Sequence, residues 1–319
     1  MSKVVVITGA NSGIGRAAAF KFAELGCEVV MACRDKGRSK QVQEEIIQTT
    51  NNRHVHLMQV DMSSFSSIKE FNKEYKARFN KLDILIHNAA YINHGSPHRL
   101  NPDNIELTFA TNVVGPFYMS EILRDVLKRG EKPVILNASS NIVKHFFDPK
   151  KHIHFEHLKG EWSASEPFSV YKQYCESKMA LVMLTFYLAE KYEEDGIRVN
   201  ALQINGARMS PETLNKFTLK WRLAARAQNV FFPPPEKMAK CYVDICTTPR
   251  LKDVTGSLMN DKLETMVRAD EEPSAFKQVK QLTGSRYYPY YADNHEVRKK
   301  LIDFCESIMT PYQQDVSTL

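Results

Sequence analysis

The feature that most constrains the fold is the run "KVVVITG" at residues 3–9, together with the helical segment directly after it. Three valines and an isoleucine in succession make a β-branched strand with no polar face to turn toward water. A strand of that kind is buried on both sides, which requires a parallel sheet with helices over each face. The segment "GRAAAFKFAELG" then carries Ala, Phe and Leu at helical spacing, its end marked by Gly26. The alternation continues through "EVVMAC", "RSKQVQEEIIQTT", "HVHLMQVD", "SIKEFNKEYKARF" and "LDILIHNA", a long helical region over 104–129, "PVILNASS", a helix through "KMALVMLTFYLAEKY", and "IRVNALQI". Strands separated by helices of about ten to fifteen residues predict an α/β chain with a doubly wound parallel sheet, three layers deep, in a single domain over residues 1–319.

Two regions break this rhythm. Residues 141–170 read as a polar, histidine-rich loop, and 206–250 carry helices around "VFFPPPEK", where Pro233, Pro234 and Pro235 forbid a helix interior. Long irregular segments in a compact fold are often substrate-binding, so 206–250 is expected to form a lid over the substrate. A last strand is expected around "VTGSLMND". Residues 262–319 then form a C-terminal extension, polar and tyrosine-rich without clear period up to 292, with a closing helix through "HEVRKKLIDFCESIM". The stretch "HIHFEH" from His152 to His157 matches no zinc spacing and has no cysteine nearby, so it reads as a surface loop, and no metal is expected.

Composition narrows the function classes. The 43 basic and 37 acidic residues give a net charge of +6, and the basic residues are interspersed with acids, which argues against nucleic-acid binding. No stretch approaches the roughly eighteen apolar residues of a membrane span. The N-terminus runs straight into a strand, with no room for a signal peptide. The six cysteines, Cys27, Cys33, Cys175, Cys241, Cys246 and Cys305, form no C-x-x-C pair and mostly sit in apolar runs. They are expected to stay reduced, in a cytoplasmic protein that acts on a small molecule and is free to form a homo-oligomer.

Two motifs carry chemistry. The first strand feeds "TGANSGIGR", with Gly9, Gly13 and Gly15 at the strand-to-helix turn, where glycines let the backbone bend and bring a pyrophosphate to the helix N-terminus. Between a clear strand and a clear helix this is a strong signal for a dinucleotide fold of the Rossmann type. The second strand ends "MACRD": Cys33 stands where an acid would bind the 2'-hydroxyl of NAD, and Arg34 comes next, with Lys36 and Arg38 nearby. That pattern suits the 2'-phosphate of NADP(H). The second motif is "FSVYKQYCESK", with two tyrosines before one lysine. On a helix Tyr174 lies one turn before Lys178, on the same face, whereas Tyr171 is two turns away, roughly 10 Å along the axis. A lysine held beside Tyr174 would favour phenolate and lower its pKa, making it an acid or base at working pH.

With "TGANSGIG", "HNAA", "TNVVGPF", "VILNASS" and Y-x-x-x-K in order, the chain resembles the short-chain dehydrogenase/reductase family over nearly its whole length. "ACRD", "IHFEHLKGE" and "QYCESKMALV" resemble more narrowly the retinol-dehydrogenase-like group, which acts on retinoids, steroids, aldehydes or xenobiotic carbonyls. "MACRD" and "NAA" are also similar to protochlorophyllide reductases. The resemblance implies Tyr174 as proton donor or acceptor to the substrate oxygen, and Lys178 on the nicotinamide ribose, depressing the tyrosine pKa. It implies Ser140 as hydrogen-bond donor to the carbonyl and Asn112 in a water-mediated proton path behind the lysine. It further implies Gly9, Ser12, Gly13, Ile14 and Gly15 along the phosphates, Asp61 at the adenine with Met62 in the cofactor set, and Asn88 supporting the cofactor side. Three departures stand out. "LQINGARMS" has Ile204 and Asn205 before Gly206 where the family usually has Pro-Gly, the loop from Ser140 to Tyr174 is long, and the membrane anchor common in retinoid-active relatives is not expected here. These features together imply an NADPH-dependent carbonyl reductase, or the reverse alcohol oxidation, on a mid-sized apolar substrate. The rival readings are a catalytically silent nucleotide-binding regulator or scaffold and a protochlorophyllide-type reductase.

Overall fold

In the computed structural model, which describes residues 2–92, 97–215 and 217–313, the chain starts with β1 (Val4–Thr8), α1 (Gly13–Glu24) and β2 (Glu28–Cys33). It continues through α2 (Lys36–Thr50), β3 (Val55–Gln59), α3 (Phe65–Arg78) and β4 (Ile84–His87). After a loop come α4 (Leu107–Phe109), a π-helical turn (Ala110–Val114), α5 (Gly115–Ile122), α6 (Arg124–Lys128) and β5 (Val134–Ser140). Next are α7 (Phe155–Lys159), α8 (Val170–Lys191), β6 (Arg198–Ile204), α9 (Pro211–Asn215), α10 (Leu219–Asn229), α11 (Pro235–Thr247) and β7 (Ser257–Met259). The extension holds β8 (Val267–Arg268), α12 (Ala275–Thr283), β9 (Tyr287–Tyr288) and α13 (His295–Gln313). Lys216 of the expected lid and residues 314–319 of the extension lie outside the described residues.

Seven strands form one parallel sheet in the order β3-β2-β1-β4-β5-β6-β7. The period of two along β1 divides its side chains between two cores. Val4 and Val6 pack on one face with residues of α3, α5 and α8, and Val5 and Ile7 pack on the other with residues of α1 and α11. The doubly wound three-layer architecture read from the strand pattern is therefore what the chain adopts. The strand order reverses between β1 and β4, so the loops after these two strands diverge and open a crevice at their carboxyl ends.

At the opposite end of the sheet a buried acid fastens the strands. Asp83, with no exposed surface, accepts hydrogen bonds from the Val4 N–H at 2.7 Å and the Glu131 N–H at 2.6 Å, and pairs with Lys81 at 2.9 Å. Its carboxyl is held below the ordinary range: burial alone would raise it, but these bonds outweigh the desolvation.

Several local expectations need revision. The helical region near 104–129 is broken by the π-turn, and Gly115 lies so close to the Met62 carbonyl that a Cβ there would sit 2.0 Å from its oxygen. Pro235 ends no helix but opens α11 at its first position, where a missing N–H costs nothing. The histidine stretch is not a surface loop throughout: α7 begins within it, His157 is 4% exposed, and Leu158 just after it is buried. All six cysteines are free and buried, and no described helix is long and apolar enough to cross a membrane.

Candidate active site

The glycine turn sits at the crevice. Gly9 and Gly13 take left-handed conformations, with φ of +67° and +53°, which glycine adopts without steric cost. A Cβ on Gly15 would lie 2.3 Å from Asn88 Nδ2 and 2.5 Å from the Gly9 carbonyl oxygen, so α1 approaches its own turn only because this residue has none. Asn88 holds the turn from β4's end: its amide donates to the Thr8 and Gly9 carbonyls at 3.0 and 3.3 Å, while its backbone N–H donates to Thr8 Oγ1 at 3.0 Å. Ser12 stands at the N-cap of α1 in extended backbone, but its side chain makes no capping bond. The first N–H groups of α1 are thus left for an anion. A Cβ on Gly13 would meet nothing within 4 Å, so the outer side of the turn is open. Ile14, half-buried, packs against the core behind it. An open glycine cradle with uncapped N–H groups fits a dinucleotide pyrophosphate.

The second strand ends beside this turn, Ala32 pairing with Thr8. Arg34 comes next with its side chain 72% exposed, its nearest acid Asp61 at 3.9 Å. Such an exposed pair is worth little and leaves the guanidinium available. Asp35 is committed elsewhere, capping α2 through the Arg38 N–H at 3.1 Å. Cys33 is buried, and burial pushes its thiol up. Asp61 accepts from both the N–H and hydroxyl of Ser63, which shapes the turn containing Met62.

On the other side of the crevice, β5 and α8 bring together Ser140, Tyr174 and Lys178, with Asn112 behind them. Ser140 is the last residue of β5, and its hydroxyl faces the Tyr174 phenol closely enough to lower its pKa. The Tyr174 phenol is pushed up to about 12 by burial, with Ser140 the one influence lowering it. Lys178, 2% exposed, donates from Nζ to the Ala138 carbonyl at 2.8 Å and lies 5.7 Å over the Tyr174 ring. Burial brings its ammonium down to about 8. The expected depression of Tyr174 by Lys178 is therefore not what this geometry produces. The ammonium points past the phenol to a carbonyl, and desolvation of both groups dominates.

Asn112 lies inside the π-turn, 1% exposed, a kind of irregularity common at functional sites. Its Oδ1 accepts from the Tyr91 N–H at 2.7 Å, and its Nδ2 donates to the Tyr91 carbonyl at 2.9 Å and to Ser177 Oγ at 3.1 Å. Both amide hydrogens are committed to protein partners, which ties the loop after β4 to α8. Tyr171 is 50% exposed, its ring edge-on to His145 at 5.3 Å, away from this cluster.

Three contributors were not visible in the sequence. Tyr242, on α11, donates from its hydroxyl to Asn88 Oδ1 at 3.2 Å. Ser177 bonds Asn112, and Phe232 covers Gly206, whose φ is +134° and whose Cβ would meet the ring at 2.7 Å. Each is brought in by topology from a distant segment, without a local spacing signal. In the departed loop, Asn205 donates to Asp261 at 3.2 Å and accepts from Gln203 at 3.3 Å, which anchors it to the segment after β7.

The comparisons agree with this architecture. A family profile described as short chain dehydrogenase matches residues 3–147. Human retinol dehydrogenase 13 is 34% identical over 267 residues, covering 80% of this chain and 75% of its own length. Human retinol dehydrogenase 11 is 30% identical over 259 residues, covering 81% and 77%. Among solved structures, a short chain dehydrogenase from Shigella flexneri complexed with NADP superposes with a TM-score of 0.62 at 18% identity, covering 82% of this chain and 97% of that one. A 3-ketoacyl-(acyl-carrier-protein) reductase from Brucella melitensis complexed with NADH gives 0.59 at 24% identity, covering 81% and 96%. At these identities the two structures share the fold.

Proposed function

Because the chain belongs to the short-chain dehydrogenase/reductase family of oxidoreductases, in its retinol-dehydrogenase-like group, we propose that it transfers hydride between NADPH and the carbonyl or alcohol carbon of a mid-sized apolar substrate. The observation that carries the reading is the hydroxyl pair of Ser140 and Tyr174, backed by a buried lysine, across the crevice from an open glycine cradle.

When bound, the nicotinamide cofactor supplies or accepts the hydride, and this chain's residues place the reactants and manage the proton. Gly9, Ser12, Gly13, Ile14 and Gly15 would hold the pyrophosphate, Asp61 and Met62 would border the adenine, and Asn88 keeps the turn in shape. Arg34 would pair with the 2'-phosphate, which supports NADP(H) over NAD(H). Burial keeps Tyr174 a neutral phenol, the proton-loaded form needed for reduction. As negative charge develops on the substrate oxygen, Tyr174 donates its proton to that oxygen and Ser140 donates a hydrogen bond to it. Lys178, its ammonium fixed on the Ala138 carbonyl, would hold the nicotinamide ribose. Asn112 acts as a positioning residue through Ser177 and Tyr91. Substrate would enter beneath the segment 206–250, whose exposed Leu219, Trp221, Leu223, Val230 and Phe231 support an apolar ligand.

The test is NADPH and NADH titration followed by turnover on a panel of apolar aldehydes, ketones and alcohols. Turnover lost in Tyr174→Phe supports the reading. Tight NADPH binding with no turnover on any member would favour a silent nucleotide-binding protein.

A further inference from the structure

On the side of α8 away from Tyr174, a second cluster of chemically able side chains has no part in hydride transfer. Residues two apart on a helix point about 200° from one another, so Glu176 faces backward from Tyr174 into the packed loop that precedes α8. There it meets two histidines three residues apart, His154 at the N-cap of α7 and His157 within it. The imidazoles stack, with centroids 4.6 Å apart and planes within 25°. Both turn Nδ1 toward Glu176 Oε1, at 2.9 Å for His154 and 3.9 Å for His157. Both turn Nε2 toward Glu166, at 3.6 Å each.

We propose that His154, His157 and Glu176 form a site for one divalent transition-metal ion of the zinc type, a staple holding the 141–170 loop to the back of α8. One donor atom from each of the three lies within 4.8 Å of the others. Ligands about 2.0–2.2 Å from a tetrahedral zinc lie about 3.3–3.5 Å apart, so modest side-chain adjustment closes the set around an ion. Three protein ligands would leave the fourth position to water.

The chemical state of the donors favours this. His157 is 4% exposed and its Nδ1 is buried with no hydrogen-bond partner, although it points into the cluster. Such an orphaned donor or acceptor carries a desolvation penalty that a ligand would remove. Glu176 is 2% exposed and turns both carboxyl oxygens to the His154 side of the loop, Oε1 to the imidazole and Oε2 to the backbone N–H. Glu166 fits the outer carboxylate that orients metal-bound imidazoles through their second nitrogen, and Lys172 lies 3.8 Å from it. Trp162 stacks on His157 at 4.1 Å and walls the cluster. The site is independent of the proposed hydride transfer, since none of its residues belongs to that machinery.

The test uses the full chain, stripped by dialysis against a chelator and titrated with zinc chloride by calorimetry, with cobalt(II) as a spectroscopic substitute. One equivalent per chain is expected, with ligand-field absorption of low-coordinate cobalt and no thiolate charge-transfer band. Glu176→Gln and His157→Gln should each weaken zinc at least tenfold, and Glu166→Gln about tenfold, with dinucleotide binding intact. No stoichiometric binding, a thiolate band, or affinity unchanged in Glu176→Gln would overturn the proposal. Should His157→Gln fail to fold, Glu176→Gln decides, because it preserves the side chain's shape and its acceptor for the His154 N–H.

Discussion

Asp83→Asn tests whether the sheet is fastened at its N-terminal edge in the way the geometry says. The carboxylate accepts two backbone N–H bonds on different oxygens, from Val4 and Glu131, and takes Lys81 as its ion partner. An amide offers only one acceptor oxygen in place of two. One N–H bond is kept as a neutral one, and the other N–H is left facing an NH2 group. Losing a charge-assisted bond costs about 1.5–3 kcal/mol, and stranding a buried N–H costs about 1–3 kcal/mol. Lys81 stays partly solvated, so its share is small. Together the substitution should destabilise the chain by about 3–5 kcal/mol, the range for breaking a buried pair. The assay is urea unfolding at pH 7, read by the shift in midpoint at unchanged slope. The sign with pH is set by a folded-state pKa below the unfolded value. That contribution is complete above the unfolded value, about 3.9, and is lost as pH falls through the folded one. The gap between wild type and Asp83→Asn should therefore be widest at neutral pH and close below about pH 4. A variant as stable as wild type at pH 7, or a gap that persists undiminished into acid, would refute the reasoning.

The site carries three further expected outcomes. Tyr174→Phe should lower single-turnover hydride transfer about a hundred- to ten-thousandfold with NADPH binding retained, while Tyr171→Phe, half-exposed against His145, should cost far less; the reverse ranking would reassign the proton donor. Arg34→Ala should weaken NADPH about ten- to a hundredfold, the worth of one charge-assisted contact, and leave NADH nearly unchanged, as checked by fluorescence titration. Gly15→Ala places a methyl 2.5 Å from the Gly9 carbonyl, so the turn must open; dinucleotide affinity should collapse for NADPH and NADH alike, and equal loss for both distinguishes it from Arg34→Ala.

Legibility in the sequence tracked the range of the interactions. The strands were visible because "VVVI" and "VILNASS" are buried on both faces and need no partner to declare themselves. The glycine turn and the Tyr174–Lys178 pair were visible because their parts lie within one turn of one element. What stayed hidden was assembled across long separations. Tyr242 reaches Asn88 from 154 residues away, and Glu176 reaches His154 from 22. Spacing within the histidine stretch shows no third donor, because that donor sits on a helix folding back over it. The ionisation of Tyr174 is hidden for a related reason: spacing places Lys178 beside it, but only the fold shows the ammonium buried and aimed at Ala138 rather than at the phenol.

The π-turn at Ala110–Val114 has a consequence for how such a chain can vary. A π-turn is an α-helix that has accommodated an extra residue, and one residue in a regular helix is worth about 100° of rotation. Asn112 within the turn meets Tyr91 and Ser177, while Phe117, Tyr118 and Val126 downstream fill the core. Deleting a single residue between 110 and 114 would restore a regular helix and swing one set about 100° relative to the other. Four of the five turn residues are buried and Thr111 bonds the Leu107 carbonyl, so the length is locked as firmly as the side chains: an insertion or deletion there either empties the core or unfastens the asparagine.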